Sequence, residues 1–549
     1  MIQKLILLTL FVFQSVNLRA QTENQTLEDA WIFFQDKPLA QNYILNPTTM
    51  LSQRSLDRRA RQNIALNQTD VPVHIPYIQE LTSQNLQVKA KSKWLNAVHV
   101  QGTQNQIEAV RNFSFIQNIE YANKSLNSSS KIKKELEFTA SSSATQSLQN
   151  FRAPETFTYG TTATQVQMIK ADYLHNLEFN GLGMHIAVID AGFPGVNTVG
   201  GFSRIRNNNQ ILSTRNYVTN STNVYTANWH GTGVLSTMAG YLENRYVGTA
   251  PNASYHLFVT EADAYEGPLE ESWWVEAVER ADSLGVDLVN SSLGYRTFDR
   301  SAYNYITANM DGQTSFIARG ANFGLSKGMI IVNSNGNYRG STWNIMGTPA
   351  DNSNVFSIGA VTNNRTIASF SSPGPTADNR IKPDVSAMGQ AAQIIYTDNA
   401  IYGVNGTSFS APIITGALAC FWQAFPDKKA WEILELVKQS AHLYSNPDND
   451  MGYGIPNFEL AYNQTLSSNS HSKQQINIYP NPVKSTIQIS LPDSIQTGTF
   501  ILFNNQGQIL YKTIISQNQL LNLENLSSGI YLYKINTLTE NFSGKIIKK

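Results

Sequence analysis

The sequence predicts an α/β core, a parallel sheet flanked by helices, with a small α+β unit ahead of it and a small all-β sandwich behind. Three observations carry this reading. From Tyr159 onward short apolar runs alternate with amphipathic helical patterns, as strands of a parallel sheet and their crossover helices must. Residues 21–124 mix strand and helix patterns. Residues 476–549 hold short strands separated by Pro, Asn and Gly turns, the pattern of a small sandwich.

In the leading unit, Ala30 to Phe34 reads as a strand and Leu51 to Ala65, rich in Arg and Leu, as a helix. Leu86 to Ala90 and Ala97 to Gln101 read as strands, Gln104 to Val110 as a helix, and Ser114 to Tyr121 as a last strand. Residues 125–155 are rich in Ser, Lys, Gln and Thr without a sustained period, so they read as a linker with room for a processing site. In the core, 156–464, the strand candidates are His185 to Ile189, Ser254 to Val259, Val286 to Ser291, Met329 to Asn333 and Val355 to Ala360. The helix Ser272 to Leu284 sets Trp274, Val275, Val278 and Ala281 on one side. The core pattern closes near Met451 to Asn457, and 465–475 read as a second linker. Ile487 to Leu491, Thr499 to Phe503 and Ile530 to Ile535 are strands of the terminal sandwich.

Composition narrows the function classes. The chain has 549 residues, enough for about three or four domains with one large core. Lys plus Arg and Asp plus Glu are both 40, which leaves no electrostatic case for nucleic acid or an anionic membrane. One cysteine, Cys420, excludes an intramolecular disulfide, and its apolar helix makes it a buried small hydrophobe. Lys4 followed by the apolar run Leu5 to Phe13, with Ala20 as a cleavage position, reads as a secretory signal over residues 1–20. Export follows from that reading.

The chemistry gathers in three stretches. Gly406-Thr407-Ser408-Phe409-Ser410-Ala411-Pro412 runs into the apolar segment Ile413 to Trp422, which seats Ser408 near a helix N-terminus, where free N–H groups favour developing negative charge. Alone, such a Ser is better read as a helix cap. Met184 to Asp190 is a buried-strand run that ends on a carboxylate, and Trp229-His230-Gly231-Thr232 puts a His at the mouth of a small-residue helix. A hydroxyl is a weak nucleophile, so it needs a base, and the base needs a carboxylate to hold its tautomer. Ser408, His230 and Asp190 supply those roles together.

The chain order Asp, His, Ser and the patterns Val-Ile-Asp-x-Gly at Asp190, His-Gly-Thr at His230 and Gly-Thr-Ser-x-Ser-x-Pro at Ser408 resemble the subtilisin-like serine proteases, the subtilases. The resemblance implies a secreted endopeptidase acting on protein and peptide substrates. It implies that Asn337, after the strand-like Met329 to Asn333, is an oxyanion donor. It also implies a substrate edge at Ser292, Leu293 and Gly294, a second wall at Ser334, Asn335 and Gly336, and a pocket floor near Gly347. Residues 21–124, with Trp94 to Val100 and Phe115 to Glu120, resemble a subtilase propeptide of ferredoxin-like type, expected to inhibit its own enzyme. Ile478 to Val483, Leu526 to Tyr531 and Gly544 to Lys549 resemble the sorting domain of type IX secretion cargo, which implies the outer-membrane secretion machinery as a partner. No cofactor is implied. Calcium stabilises many relatives, yet no dense Asp/Asn ligand loop marks a metal site. An ester hydrolase would call for Gly-x-Ser-x-Gly with the acid between Ser and His, and neither occurs. The reading from another class is a catalytically inactive subtilase fold kept as a surface binding protein; such relatives usually lack a triad member, and here all three are present.

Overall fold

The computed structural model describes residues 26–127, 155–471, 476–491, 495–537 and 541–549. The expected signal sequence and nearly all of the first linker lie outside these residues. Two compact units divide at Tyr462/Asn463.

The leading part of the first unit contains β1 (Leu27–Phe34), α1 (Gln53–Gln62), α2 (Ile75–Ser83), β2 (Gln87–Ser92), β3 (Ala97–Thr103), α3 (Gln104–Ala109) and β4 (Ile116–Tyr121). The strands form an antiparallel sheet in the order β2-β3-β1-β4. Caps fix the helix ends. Ser52 Oγ accepts the Ser55 N–H at 3.2 Å ahead of α1, Asn63 closes α1 in the left-handed conformation, and Thr103 and Gln106 cap α3 reciprocally. α2 was absent from the sequence reading because Pro76 hides its start, although Pro is favoured in the first turn of a helix.

The period of two along β1 divides its side chains between two cores. Ala30, Ile32 and Phe34 pack with Val98, Ile107 and Ile119 inside this unit's own core. Trp31 faces the other way into the core of the following domain, where it stacks on Phe316 at 4.8 Å and donates its indole N–H to Ser272 Oγ at 2.8 Å. The turn between β2 and β3 meets the same surface: the Glu279 carboxylate accepts from Ser92 Oγ at 2.6 Å and from the N–H groups of Lys93 and Trp94 at 2.8 and 3.0 Å.

The central domain contains β5 (His185–Asp190), β6 (Ile211–Asn216), α4 (His230–Ala239), β7 (Ser254–Val259), α5 (Pro268–Leu284), β8 (Leu288–Ser291), β9 (Ile330–Ser334), β10 (Val355–Val361), β11 (Val385–Met388), α6 (Thr407–Ala424) and α7 (Ala430–Gln439). Its seven strands pair in the order β11-β10-β9-β8-β5-β7-β6, all parallel, with helices on both faces. Alternation on β5 again decides the faces. Ile186 and Val188 enter the core shared with α4 and α6, whereas Ala187 and Ile189 enter the core under α5. α5 starts at Pro268, four residues before the sequence reading placed it, with Glu270 accepting the Gly267 N–H at 3.0 Å and Gly285 closing the other end at φ 81°.

A helix, Phe458–His471, runs through the first part of the expected second linker. The last unit holds β12 (Asn477–Tyr479), β13 (Thr486–Ser490), β14 (Thr497–Phe503), β15 (Ile509–Ser516), β16 (Gln519–Asn522), β17 (Gly529–Asn536) and β18 (Asn541–Lys548). They form antiparallel sheets β12-β13-β16 and β15-β14-β17-β18 around a core that includes Ile487, Ile489, Phe500, Leu502, Ile535 and Ile546. Because this unit has its own core, removing residues 476–549 is expected to leave unchanged the peptide hydrolysis that the sequence resemblance implies while blocking the export it implies. The check is kcat/KM of the truncated chain beside the amount that reaches the culture medium.

Candidate active site

Parallel pairing lines up the carboxyl ends of β5, β8 and β9, the place where open α/β sheets present ligands. Asp190 is the last residue of β5 and is fully buried. Its Oδ1 accepts the Ala191 N–H at 2.8 Å and the His230 Nδ1–H at 2.8 Å. His230 opens α4, and its own N–H is held by Asn228 Oδ1 at 3.0 Å. The His-Gly pair is explained by contact: a Cβ on Gly231 would lie 2.4 Å from Gly192 O and 2.9 Å from the Asp190 Cβ, so only Gly lets the helix start approach the carboxylate. With Nδ1 donating to Asp190, Nε2 is the nitrogen free to accept a proton. Burial acts to lower the His230 pKa, but the Asp190 charge and hydrogen bond outweigh it and hold the pKa above the ordinary 6.5.

Ser408 is the second residue of α6 and is 8% exposed. In a regular helix its carbonyl would accept from residue 412, but Pro412 has no N–H. The Ser292 hydroxyl takes that place and donates to Ser408 O at 2.8 Å, which ties the start of α6 to the end of β8. The Ser408 hydroxyl donates to Ser292 O at 3.4 Å in this arrangement, not to His230.

Asn337 is exposed just beyond β9. Its Oδ1 accepts from the Thr407 N–H at 2.9 Å and the Thr407 hydroxyl at 3.0 Å. A backbone N–H can only donate, so the oxygen of the amide must face Thr407 and the NH₂ is left to serve another acceptor. Thr407 Oγ1 in turn accepts the Gly336 N–H at 3.1 Å. No local sequence pattern marks Thr407 for this contact.

The expected pocket residues fall at neighbouring strand ends. Leu293 and Gly294 are partly exposed beyond β8, and Ser334 ends β9 beside them. Asn333 joins the two walls by donating to Leu293 O at 2.9 Å and Ser334 O at 2.8 Å. Asn335 is buried, its amide donating to Ser372 O at 2.8 Å, so its side chain is turned into the protein. Gly347 is buried behind the wall: Thr348 pairs with Tyr295, and a Cβ on Gly347 would meet Tyr295 O at 3.2 Å. Arg339 pairs with Asp450 at 2.7 Å. Arg296 also lies near these segments, over the rings of Tyr338 at 4.5 Å and Trp343 at 5.9 Å.

Sequence reasoning also passed over Glu261, two residues beyond β7. Burial pushes its carboxyl up to about 8, against the pull of the hydrogen bond from Tyr295, and its charge when ionised would favour the protonated form of His230. Nothing in the sequence separates it from other surface glutamates. Among the described residues no group of three or more His, Cys, Asp or Glu side chains gathers as a metal site would, and no helix is long and apolar enough to cross a membrane.

A buried carboxylate on an imidazole, a serine at a helix start and an anchored amide beside it define a site of serine-peptidase type. The chain belongs to the subtilase family, whose model matches residues 181–454. A peptidase S8 propeptide domain of Bacteroidota matches 29–138, and a secretion system C-terminal sorting domain matches 477–549, which marks the chain for export to the cell surface or beyond. Relatives include subtilisin DY of Bacillus licheniformis, 28% identical over 283 residues that cover 50% of this chain and 90% of that one. Subtilisin E of Bacillus subtilis (strain 168) is 29% identical over 305 residues, covering 54% and 70%. Among solved structures, the MycP3 protease from the type VII (ESX-3) secretion system aligns with a TM-score of 0.43 at 19% identity, over 55% of this chain and 88% of that one.

A general base must be neutral, so with His230 as the base kcat/KM is expected to rise with pH through an apparent pKa above 6.5, with the acid form inactive. Asp190→Asn should then move that midpoint down and lower kcat by about 10,000-fold, the usual loss when the imidazole is held in the wrong tautomer. A pH profile of peptide hydrolysis by the chain and the variant checks both.

Proposed function

We propose that this chain is a secreted serine endopeptidase matured by removal of its propeptide. The observation that carries the proposal is the pairing of Asp190 with His230 at 2.8 Å, with Phe409, the neighbour of Ser408, against the His230 ring at 5.7 Å and the Asn337 amide oxygen engaged by Thr407, the neighbour on its other side. Ser408 Oγ attacks the scissile carbonyl once its hydroxyl leaves Ser292 O for His230 Nε2; catalytic hydrogen bonds are often loose before substrate binds. His230 takes the proton and returns it to the leaving amine, while Asp190 stabilises the imidazolium. The Asn337 NH₂ and backbone N–H groups at the start of α6 receive the oxyanion. The edge at Ser292 to Gly294 pairs with an extended substrate as an added strand. The propeptide is the inhibitor of its own enzyme, and the last unit engages the outer-membrane secretion machinery.

A serine-directed fluorophosphonate is expected to label the processed protein at Ser408, with Ser408→Ala removing both label and hydrolysis. Asn337→Leu should keep the label site but lower kcat by about 100- to 1000-fold, the loss found when one oxyanion donor is removed from subtilisin itself. Folded, processed protein that stays unlabelled would instead favour the inactive surface-binding reading.

With no carboxylate between Ser334 and Gly347 to pair a cation, the side chain before the scissile bond should be apolar, since burying one gains roughly 1.5 to 3 kcal/mol while an unpaired buried charge costs about several kcal/mol. Matched peptides should give higher kcat/KM with Phe, Leu, Tyr or Met there than with Arg, Lys or Glu. Best cleavage after Arg or Glu would show that another residue supplies a charge partner.

A further inference from the structure

We propose that the propeptide docks on the catalytic domain at a second site, remote from the cleft, where α1 inserts guanidinium groups into an acidic, carbonyl-lined seat at the C-terminal end of α5. The occupant is this chain's own segment, residues 52–70, and the seat remains a binding surface for it after the chain is cut. This rests on reading residues 29–138 as a propeptide that leaves.

The geometry of α1 makes the case. Arg54, Arg58 and Gln62 recur every four residues and share one helical face, with Arg59 beside them. Arg58 and Arg59 are 1% and 2% exposed, a cost that no helix would bear without partners. Those partners belong to the catalytic domain. Arg58 and Arg59 both donate to the Asp282 carboxylate, at 2.6 and 2.8 Å, and Asp282 is itself fully buried. Arg58 also donates to Val286 O, and Arg54 donates to Gly285 O at 2.9 Å and pairs with Asp287. These carbonyls lie just past the C-terminal cap of α5, and Arg58 also reaches the helix's own Asp282 O at 3.4 Å, at the end where the helix dipole favours cations. Gln62 spans two further elements, donating to Gly328 O and accepting the Ala430 N–H at the start of α7.

Charge crosses the interface in the other direction too. Lys327 of the catalytic domain, nearly fully buried, reaches Asp70 at 2.7 Å and Thr69 at 2.6 Å, while Asp70 also pairs with Arg59 at 2.9 Å. The result is an alternating chain, Arg58, Asp282, Arg59, Asp70 and Lys327, with every charge opposed. Burial acts to raise the Asp282 carboxyl, and Arg59, Lys93 and Arg58, all from the propeptide, hold it down at about 2.

Topology separates this seat from the cleft. Asp287 immediately precedes β8 and accepts the His185 N–H at the start of β5, so the seat lies at the amino ends of strands whose carboxyl ends carry Asp190 and Ser292. A six-residue strand puts the two roughly 20 Å apart. Contacts here hold the propeptide without blocking substrate, and two linked sites bind far more tightly than either one.

The test uses the full chain with Ser408→Ala and an engineered protease site between Asn127 and Glu155, cut and then diluted while retention of the N-terminal unit is followed by size-exclusion chromatography. Arg58→Met with Arg59→Met is expected to raise the dissociation constant about 100-fold or more, and Asp282→Asn to weaken retention from the other side of the interface. Less than about a tenfold change in the double variant overturns the proposal. If that variant does not fold, Arg54→Gln, whose side chain is 30% exposed, decides: about tenfold weaker retention sustains the second site and unchanged retention overturns it. The same cut in the chain with Ser408 intact separates the two readings. Full peptide hydrolysis with the unit still bound removes the inhibitory role and leaves the second site standing, whereas inhibition that the Arg variants do not weaken removes the second site alone.

Discussion

The structure depends on one constraint, the parallel register of β5, β8 and β9. Pairing Ile189 with Ser291, and Ser291 with Asn333, ends three strands on one line. Asp190, Ser292 and Ser334 then fall side by side although far apart in sequence. A one-residue slip would turn every side chain on the strand to the other face, and the apolar runs on both faces of this sheet hold the register. The site is therefore a consequence of core packing before it is a matter of chemistry.

Local exceptions to regular structure finish the work. Pro412 leaves the Ser408 carbonyl without its helical donor, and Ser292 supplies the missing bond. Gly231 allows α4 to start against the Asp190 side chain. Thr407 engages the Asn337 oxygen and so fixes which end of the amide faces the cleft. Each exception connects the seat of Ser408, His230 or Asn337 to a neighbouring segment, which is how loops acquire the rigidity that preorganised electrostatics requires.

The face of α5 turned away from the sheet shows a different balance. Ser272, Glu279 and Asp282 on this helix are polar or charged and buried, and each is satisfied by the leading unit: Ser272 by Trp31 and His99, Glu279 by the β2–β3 turn, Asp282 by two arginines. Such groups are tolerated in a covered state only when every partner is present. A surface built this way suits a cover that is made to fit and later removed, since the same groups are well solvated when the cover is gone.

The strand-end seat of Asp190 and the helix-start seats of His230 and Ser408 were legible in the sequence because their patterns are local: a strand run ending on a carboxylate, a His ahead of small residues, a Ser opening an apolar helix. The parallel core was legible for the same reason, as buried strands read as continuous apolar runs. Edge and short elements were not. β6 escaped notice because Ser213, Thr214 and Arg215 give it no apolar run, and α2 because Pro76 masks its first turn. Thr407, Asn333 and Glu261 gained their contacts only from neighbours distant in the chain, and nothing local to α1 shows that its arginines are buried against Asp282. Sequence determined which chemistry the chain carries, since periodicity and small-residue patterns are set by near neighbours. Tertiary structure alone decided which polar groups are paired, because hydrogen bonds and buried charges are satisfied across the fold, by residues that no local pattern connects.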